Sequence, residues 1–224
     1  MKKALSVLIL CIIVPAVAIG GALIFRERMY AWITLCIVIL ACVPFLVRFE
    51  RGAADARRLI LIAALTALSV LGRMAFAPIP GFKPVTAMVV ITAMYFGSEA
   101  GFLTGALSAV ISNFYFGQGP WTPFQMFSWG IIGFFAGLLA EQLKRSRIIL
   151  SVYAVLSGVL YSFLMDVWTV LWADGYFNIS RYLAALASAV PFTAIYAVSN
   201  LVFLLLLARP IGRILERIKT KYAL

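Results

Sequence analysis

Few residues in this chain of 224 could do chemistry. There is no histidine, so the commonest general base and the commonest metal ligand are both missing. One carboxylate stands out. Asp166 lies deep in the apolar run "YSFLMDVWTVLW" with Ser162 one turn before it, and an intramembrane acid is costly without a partner or a polar cavity. Asn113, Gln125 and Asn200 are amides set in apolar surroundings, where helix–helix hydrogen bonding is the structural alternative to ligand binding. Two cations, Arg73 and Lys83, bracket the proline-rich stretch "GRMAFAPIPGFKP" from Gly72 to Pro84. Cys11, Cys36 and Cys42 have no paired spacing and read as small buried hydrophobes. No G-x-x-x-x-G-K-[ST] phosphate loop occurs. This inventory offers charge, amides and aromatic rings but no nucleophile–base pair and no metal cluster. It suits binding rather than an enzyme, and it implies neither cofactor nor metal.

The elements that must position these groups are membrane helices. Hydrophobic residues make up 64% of the chain and mean hydropathy is +1.05, far from a soluble domain. Continuous apolar runs of about 20 residues recur, the length that crosses about 30 Å of hydrocarbon as a helix. Their lack of alternation excludes a barrel. The runs are Ala4 to Phe25, Met29 to Val47, Leu59 to Ala77, Val85 to Gly117, Met126 to Leu143, Ile148 to Trp172 and Tyr182 to Ala208. The first resembles a signal peptide, with Ala16-Val17-Ala18 imitating a cleavage site, but it is long and a second span follows at once. It reads as a retained helix. The run from Val85 divides into two short helices with a turn at Gly97–Gly101, each too short to span comfortably and therefore expected among other helices or at a polar cavity. Pro191 is expected to start or kink the last helix. The total is eight helices. The polar stretch Arg48 to Arg58 separates an N-terminal hairpin, residues 1–50, from a core, residues 51–224.

The distribution of cations orients the chain. With the N-terminus in the cytoplasm, that side holds Lys2, Lys3, Arg48, Arg51, Arg57, Arg58, Lys144, Arg145, Arg147, Arg209, Arg213, Arg217, Lys219 and Lys221. The outer side holds only Arg26, Arg28, Arg73, Lys83 and Arg181. The net charge of +11 is therefore topology, with the lipid bilayer as partner and no nucleic acid. Three outer loops follow: Gly72–Pro84, Gly117–Gln125 and Ala173–Arg181. They carry Phe76, Phe82, Trp121, Phe124, Tyr176 and Phe177, a composition that fits a binding surface or an interfacial aromatic belt. The candidate substrate-binding set is Arg73, Phe76, Lys83, Asn113, Gln118, Trp121, Gln125, Trp129, Asp166, Trp172 and Tyr176. The first loop would be a lid over an outward pocket. Its floor would be Asn113, Trp129 and Asp166, and Arg73 and Lys83 would donate to the ligand or else anchor helix ends at headgroups. The spacings Gly101-x-x-x-Gly105 and Gly133-x-x-x-Gly137 predict close helix packing.

From Leu59 onward the pattern resembles the substrate-binding S-component of energy-coupling factor (ECF) transporters. The resemblance rests on "AALTALSVLGRMAFAPIPGFKP", on the glycine-punctuated "MYFGSEAGFLTGALSAVISNFYFGQGPWTPFQMFSWGIIGFFAGLLA", on the basic turn after it and on "SAVPFTAIYAVSNLVFLLLLARPI" before a basic tail. It implies a six-helix vitamin-binding protein in the bacterial cytoplasmic membrane, here preceded by an extra two-helix hairpin. It also implies docking on a transmembrane T-subunit driven by two cytoplasmic ATPases, through an AxxxA motif matched by Ala63 and Ala67. The loop "GQGPWTPFQM" is more similar to cobalamin-type or uncharacterised vitamin S-components than to riboflavin-type ones, so a corrinoid is the expected vitamin. The competing expectation is a stand-alone secondary transporter or channel for a small polar solute. That would need a continuous charged path, to which only Asp166 contributes clearly.

Overall fold

The computed structural model describes residues 56–222, and all its regular elements are helices. They are α1 (Ala56–Ala75), α2 (Val85–Phe96), α3 (Ser98–Phe116), α4 (Thr122–Leu138), α5 (Ala140–Arg145), α6 (Arg147–Asp174) and α7 (Ile179–Tyr222). Three of them, α1, α6 and α7, are long and apolar enough to cross a membrane. The expected hairpin of residues 1–50 lies outside the described residues.

Helix α2 is the centre. It has only 12 residues, about 18 Å of rise. Its sequence, "VTAMVVITAMYF", has no polar face, and every residue except Tyr95 is buried. A helix apolar all round belongs inside a bundle. Helices α1, α3, α4 and α7 all pack on it. Two cations hold its C-terminal end, where carbonyls lack helical partners. Arg58 donates to the Phe96 carbonyl, and Lys219 Nζ donates to the Tyr95 carbonyl at 3.0 Å. Arg57 also lies over the Tyr222 ring. Arg57 and Arg58 of α1 and the basic C-terminal residues of α7 thus gather at one end of the bundle, and the Gly72–Pro84 loop lies at the other.

The reversal between α2 and α3 is tighter than the five-residue turn read from the sequence. Gly97 alone, at φ 90°, breaks the helix, and α3 resumes at Ser98. The small-residue pattern then brings α3 against α4, the most extensive helix pair in the structure. A Cβ on Gly105 would lie 2.5 Å from the Trp129 carbonyl carbon. A Cβ on Gly101 would lie 2.6 Å from the Gly133 carbonyl oxygen.

Other boundaries move too. Helix α4 begins at Thr122 rather than Met126, because Pro123 is well suited to a first helical turn. The expected element ending at Leu143 divides at Leu139, and α5 carries its end. Helix α7 has 44 residues and runs unbroken through Pro191 and Pro210. Pro191 therefore lies inside the helix rather than at its start. The basic tail, expected as a separate segment, is helical to Tyr222. At about 66 Å this helix is about twice the thickness of the hydrocarbon, so its cationic C-terminal portion stands clear of the apolar layer.

Candidate substrate pocket

At the end of the bundle opposite the basic termini lies a cavity of about 170 Å³. Arg73 reaches it from the end of α1. Lys83 comes from the loop, Gln125 and Trp129 from α4, Tyr161 from α6, and Tyr196 and Asn200 from α7. Val85 and Thr86 add the start of α2, so five helices and one loop converge on it.

A polar chain runs along one side. Arg73 Nη1 donates to Asn113 Oδ1 at 2.8 Å and to Ser112 Oγ. Asn113 is 1% exposed. Its amide nitrogen donates to Thr122 Oγ1 at 2.9 Å and to Gln125 Oε1 at 2.8 Å. Both N–H donors and the carbonyl oxygen of this buried amide are engaged, as burial requires. The Arg73 guanidinium also lies over the Phe116 and Trp129 rings, 4.6 Å and 5.1 Å from their centroids. Cation–π contact of this kind holds a guanidinium that lacks a carboxylate. Gln125 accepts from Asn113, and its side chain also hydrogen-bonds Tyr161 on the opposite wall.

Rings form the other side. Trp129 and Tyr161 stack with centroids 5.1 Å apart at 16°, and Tyr196 meets Tyr161 edge-on at 5.2 Å. Asn200 donates to Ser157 Oγ at 3.2 Å, which ties α7 to α6 at the cavity wall.

The loop between α1 and α2 borders this space through Gly81 and Lys83 and is held by three attachments. Phe76 and Phe82 both pack on Phe203 of α7, with centroids 5.0 Å and 4.9 Å away. The Lys83 amide donates to Ser199 Oγ at 2.9 Å, and that hydroxyl donates back to the Lys83 carbonyl at 3.0 Å. Lys83 Nζ donates to the carbonyls of Ile79 at 3.0 Å, Ala77 at 3.1 Å and Phe76. Its three donors are committed to the loop, whereas the sequence suggested either a ligand or lipid headgroups as their partner. Burial, and secondarily the Arg73 charge, lower the Lys83 pKa below the ordinary lysine value.

Of the residues singled out from sequence, Arg73, Lys83, Gln125 and Trp129 line the cavity, and Asn113 stands behind Arg73. Phe76 belongs to the plug on Phe203. Trp121 packs edge-on against Trp168, which stacks on Trp172. Gln118 donates to the Val110 carbonyl at 2.8 Å and accepts from Thr122 Oγ1 at 3.0 Å, so it closes the α3–α4 turn. Trp172 and Tyr176 are more than half exposed and are not among the lining residues. Asp166 does not line the cavity, and its Oδ2 has no hydrogen-bond partner among the described residues. Tyr161, Tyr196 and Asn200 were missing from the sequence-derived set. Their signal was present: Ser157 and Tyr161 on α6, and Tyr196 and Asn200 on α7, each recur one turn apart in otherwise apolar helices.

A sequence model of the family described as ECF-type riboflavin transporter, S component, matches residues 54–217. The chain belongs to that family. It is thus a membrane protein of the S-component class, the substrate-specific part of an ECF importer rather than an enzyme. No curated protein and no solved structure matches it. S-components of this kind generally work with a T-subunit and ATPase subunits. On this chain the AxxxA pair is accessible: Ala63 and Ala67 lie on the exposed face of α1 with Ile60, Leu68 and Leu71, opposite the buried Ile62, Leu65, Thr66, Ser69 and Val70.

Proposed function

We propose that this protein captures riboflavin, or a close flavin, on the outer face of a bacterial cytoplasmic membrane. It then passes the vitamin inward on a T-subunit driven by two ATPases. The observation that carries the reading is the cavity: a stacked Trp129–Tyr161 pair stands beside the polar side chains of Arg73, Gln125 and Asn200 in a family described by riboflavin transport. A flavin offers a flat tricycle for the rings, a pyrimidinedione edge for the polar side chains and a ribityl chain of hydroxyls.

Size supports a flavin over the corrinoid expected from the "GQGPWTPFQM" loop. Pockets for drug-sized ligands hold roughly 300–1,000 Å³, and this one has about 170 Å³ with its loop closed. Release of the 76–84 loop from Phe203 and Ser199 enlarges it toward a flavin. A corrinoid is several times larger and requires the helices themselves to part. The docking face is assigned to Ala63 and Ala67, where the missing side-chain bulk lets a partner helix approach.

The test is titration of riboflavin, with flavin fluorescence as readout, into purified protein in detergent. Saturable quenching is expected, since a ring stacked on Trp or Tyr loses emission, and cyanocobalamin does not compete. Absence of riboflavin binding together with saturable cobalamin binding overturns the reading.

A further inference from the structure

At the opposite, cationic end of the bundle a second cavity, of about 240 Å³, opens between the α5–α6 turn and α7. Lys144, Arg145 and Arg147 reach it from the turn, and Arg209 and Arg213 from α7, against a single acid, Glu216. Lys144 is engaged: it contacts Glu141 at 3.5 Å and lies over the Tyr95 ring. The other four are different. None of the guanidiniums of Arg145, Arg147, Arg209 and Arg213 makes a hydrogen bond or ion pair with a described residue. The positive-inside rule explains why these residues are basic. It does not explain why four unpaired guanidiniums from two separate elements converge on one cavity, where their mutual repulsion is unfavourable.

The other lining is apolar. Leu150, Leu204, Leu205 and Ala208 continue the cavity wall toward the bilayer, and the neighbouring Leu206 and Ile148 are strongly exposed on the lipid side. A ligand suited to both halves has a phosphate at the guanidiniums and hydrocarbon below it. Helix α6 also begins at this cavity, so its unpaired N-terminal amides add positive potential. We propose that this cavity is a binding site for an anionic phospholipid of the inner leaflet, with its phosphate held by the four arginines. Basic pockets between transmembrane helices on the cytoplasmic side are suited to such headgroups, and the fork of a guanidinium matches phosphate oxygens bidentately.

The experiment uses the full chain, delipidated in detergent, with native mass spectrometry reading lipid retention and affinity. Phosphatidylglycerol is expected to bind at least tenfold more tightly than phosphatidylcholine, and inorganic phosphate far more weakly than either headgroup comparison requires. Arg209→Gln with Arg213→Gln is expected to weaken phosphatidylglycerol at least tenfold. The charge-matched control, Arg217→Gln with Lys221→Gln, alters residues that do not line the cavity and is expected to change affinity less than threefold. A thermal melt checks folding; if the double variant does not fold, Arg147→Gln alone serves, with a smaller loss in the same direction. Equal weakening by the control pair overturns the proposal, since charge alone would then account for the binding. Equal affinity for inorganic phosphate and for the lipid also overturns it. So does unchanged lipid affinity combined with loss of co-purification with the T- and ATPase subunits, which assigns the patch to a protein partner.

Discussion

Arg73 and Asn113, 40 positions apart in the chain, are joined by a 2.8 Å hydrogen bond from Nη1 to Oδ1. The bond connects the end of α1 to the end of α3 and turns the guanidinium toward Trp129 rather than toward the membrane surface. It couples two residues that each serve the cavity, so their contributions are not independent. Arg73→Ala is expected to weaken riboflavin binding by about 1.5–3 kcal/mol, the range for a hydrogen bond to a charged group, or roughly ten- to a hundredfold in Kd. Asn113→Ala weakens it less, because Ser112 still holds Arg73. In the double-mutant cycle the coupling energy is expected to exceed about 0.5 kcal/mol. Calorimetric titration of the four proteins measures it, and strict additivity would remove Asn113 from the site's support.

Trp129 is set by packing as well as by sequence. Gly105 admits the α4 backbone at this level, and no side chain fits there. Gly105→Val is expected to push the two helices apart and cost at least 1–3 kcal/mol, the range for overpacking. Its Tm in detergent falls by several degrees, with riboflavin affinity falling alongside. Trp129→Ala, by contrast, opens the cavity without touching the helix contact. It should reduce the flavin quenching amplitude more than it lowers Tm. If Trp129→Ala leaves quenching intact, the stacked partner of the flavin is another ring.

Much of this arrangement was legible in the chain. Arg73, Lys83, Gln125 and Trp129 stood out because polar or amphipathic groups in or beside apolar runs have few other uses, and glycine spacing announced the α3–α4 contact. Asp166 misled for the same reason. A carboxylate in an apolar helix draws attention, but its azimuth on the helix decides what it meets, and sequence gives that only relative to its neighbours. Tyr161 and Tyr196 were missed because a tyrosine in an apolar helix looks like core or interfacial belt. Their relation to the cavity depends on how α6 and α7 pair, a long-range fact. The continuity of α7 through Pro191 and Pro210 was hidden because proline lowers helix propensity locally, whereas packing against α6 and α2 decides the outcome. The vitamin depends on cavity volume, which no motif states.

Topology is the next expectation. The cavity end carries Gln118 and Tyr176, both exposed, and the basic end carries Gln142, also exposed. Thr122 is buried, so it is a poor labelling position although it lies at the cavity end. Single cysteines at positions 118 and 176, in a protein freed of Cys11, Cys36 and Cys42, are expected to react with an impermeant maleimide in intact cells. A cysteine at position 142 is expected to react only after permeabilisation. Labelling of position 142 from outside would invert the orientation and the assignment of the cavity to the outer face.

Docking separates capture from transport. Ala63 and Ala67 are one turn apart on the exposed face of α1, while the cavity is reached by α1 only through Arg73 at its far end. A bulky side chain at position 67 therefore has room in the solitary protein and none against a closely packed partner helix. Ala67→Trp is expected to leave riboflavin affinity within about twofold of the wild type. In proteoliposomes containing the T- and ATPase subunits, the same variant is expected to lose most ATP-driven riboflavin uptake. Wild-type protein alone in such vesicles should show binding but no accumulation, which a stand-alone secondary transporter would violate. The comparison has a clear failing result. If Ala67→Trp binds riboflavin and also supports uptake at the wild-type rate, the Ala63–Ala67 face is not where the partner sits, and the exposed face of another membrane helix, such as the one bearing Leu156 and Leu160 on α6, must be tried in its place.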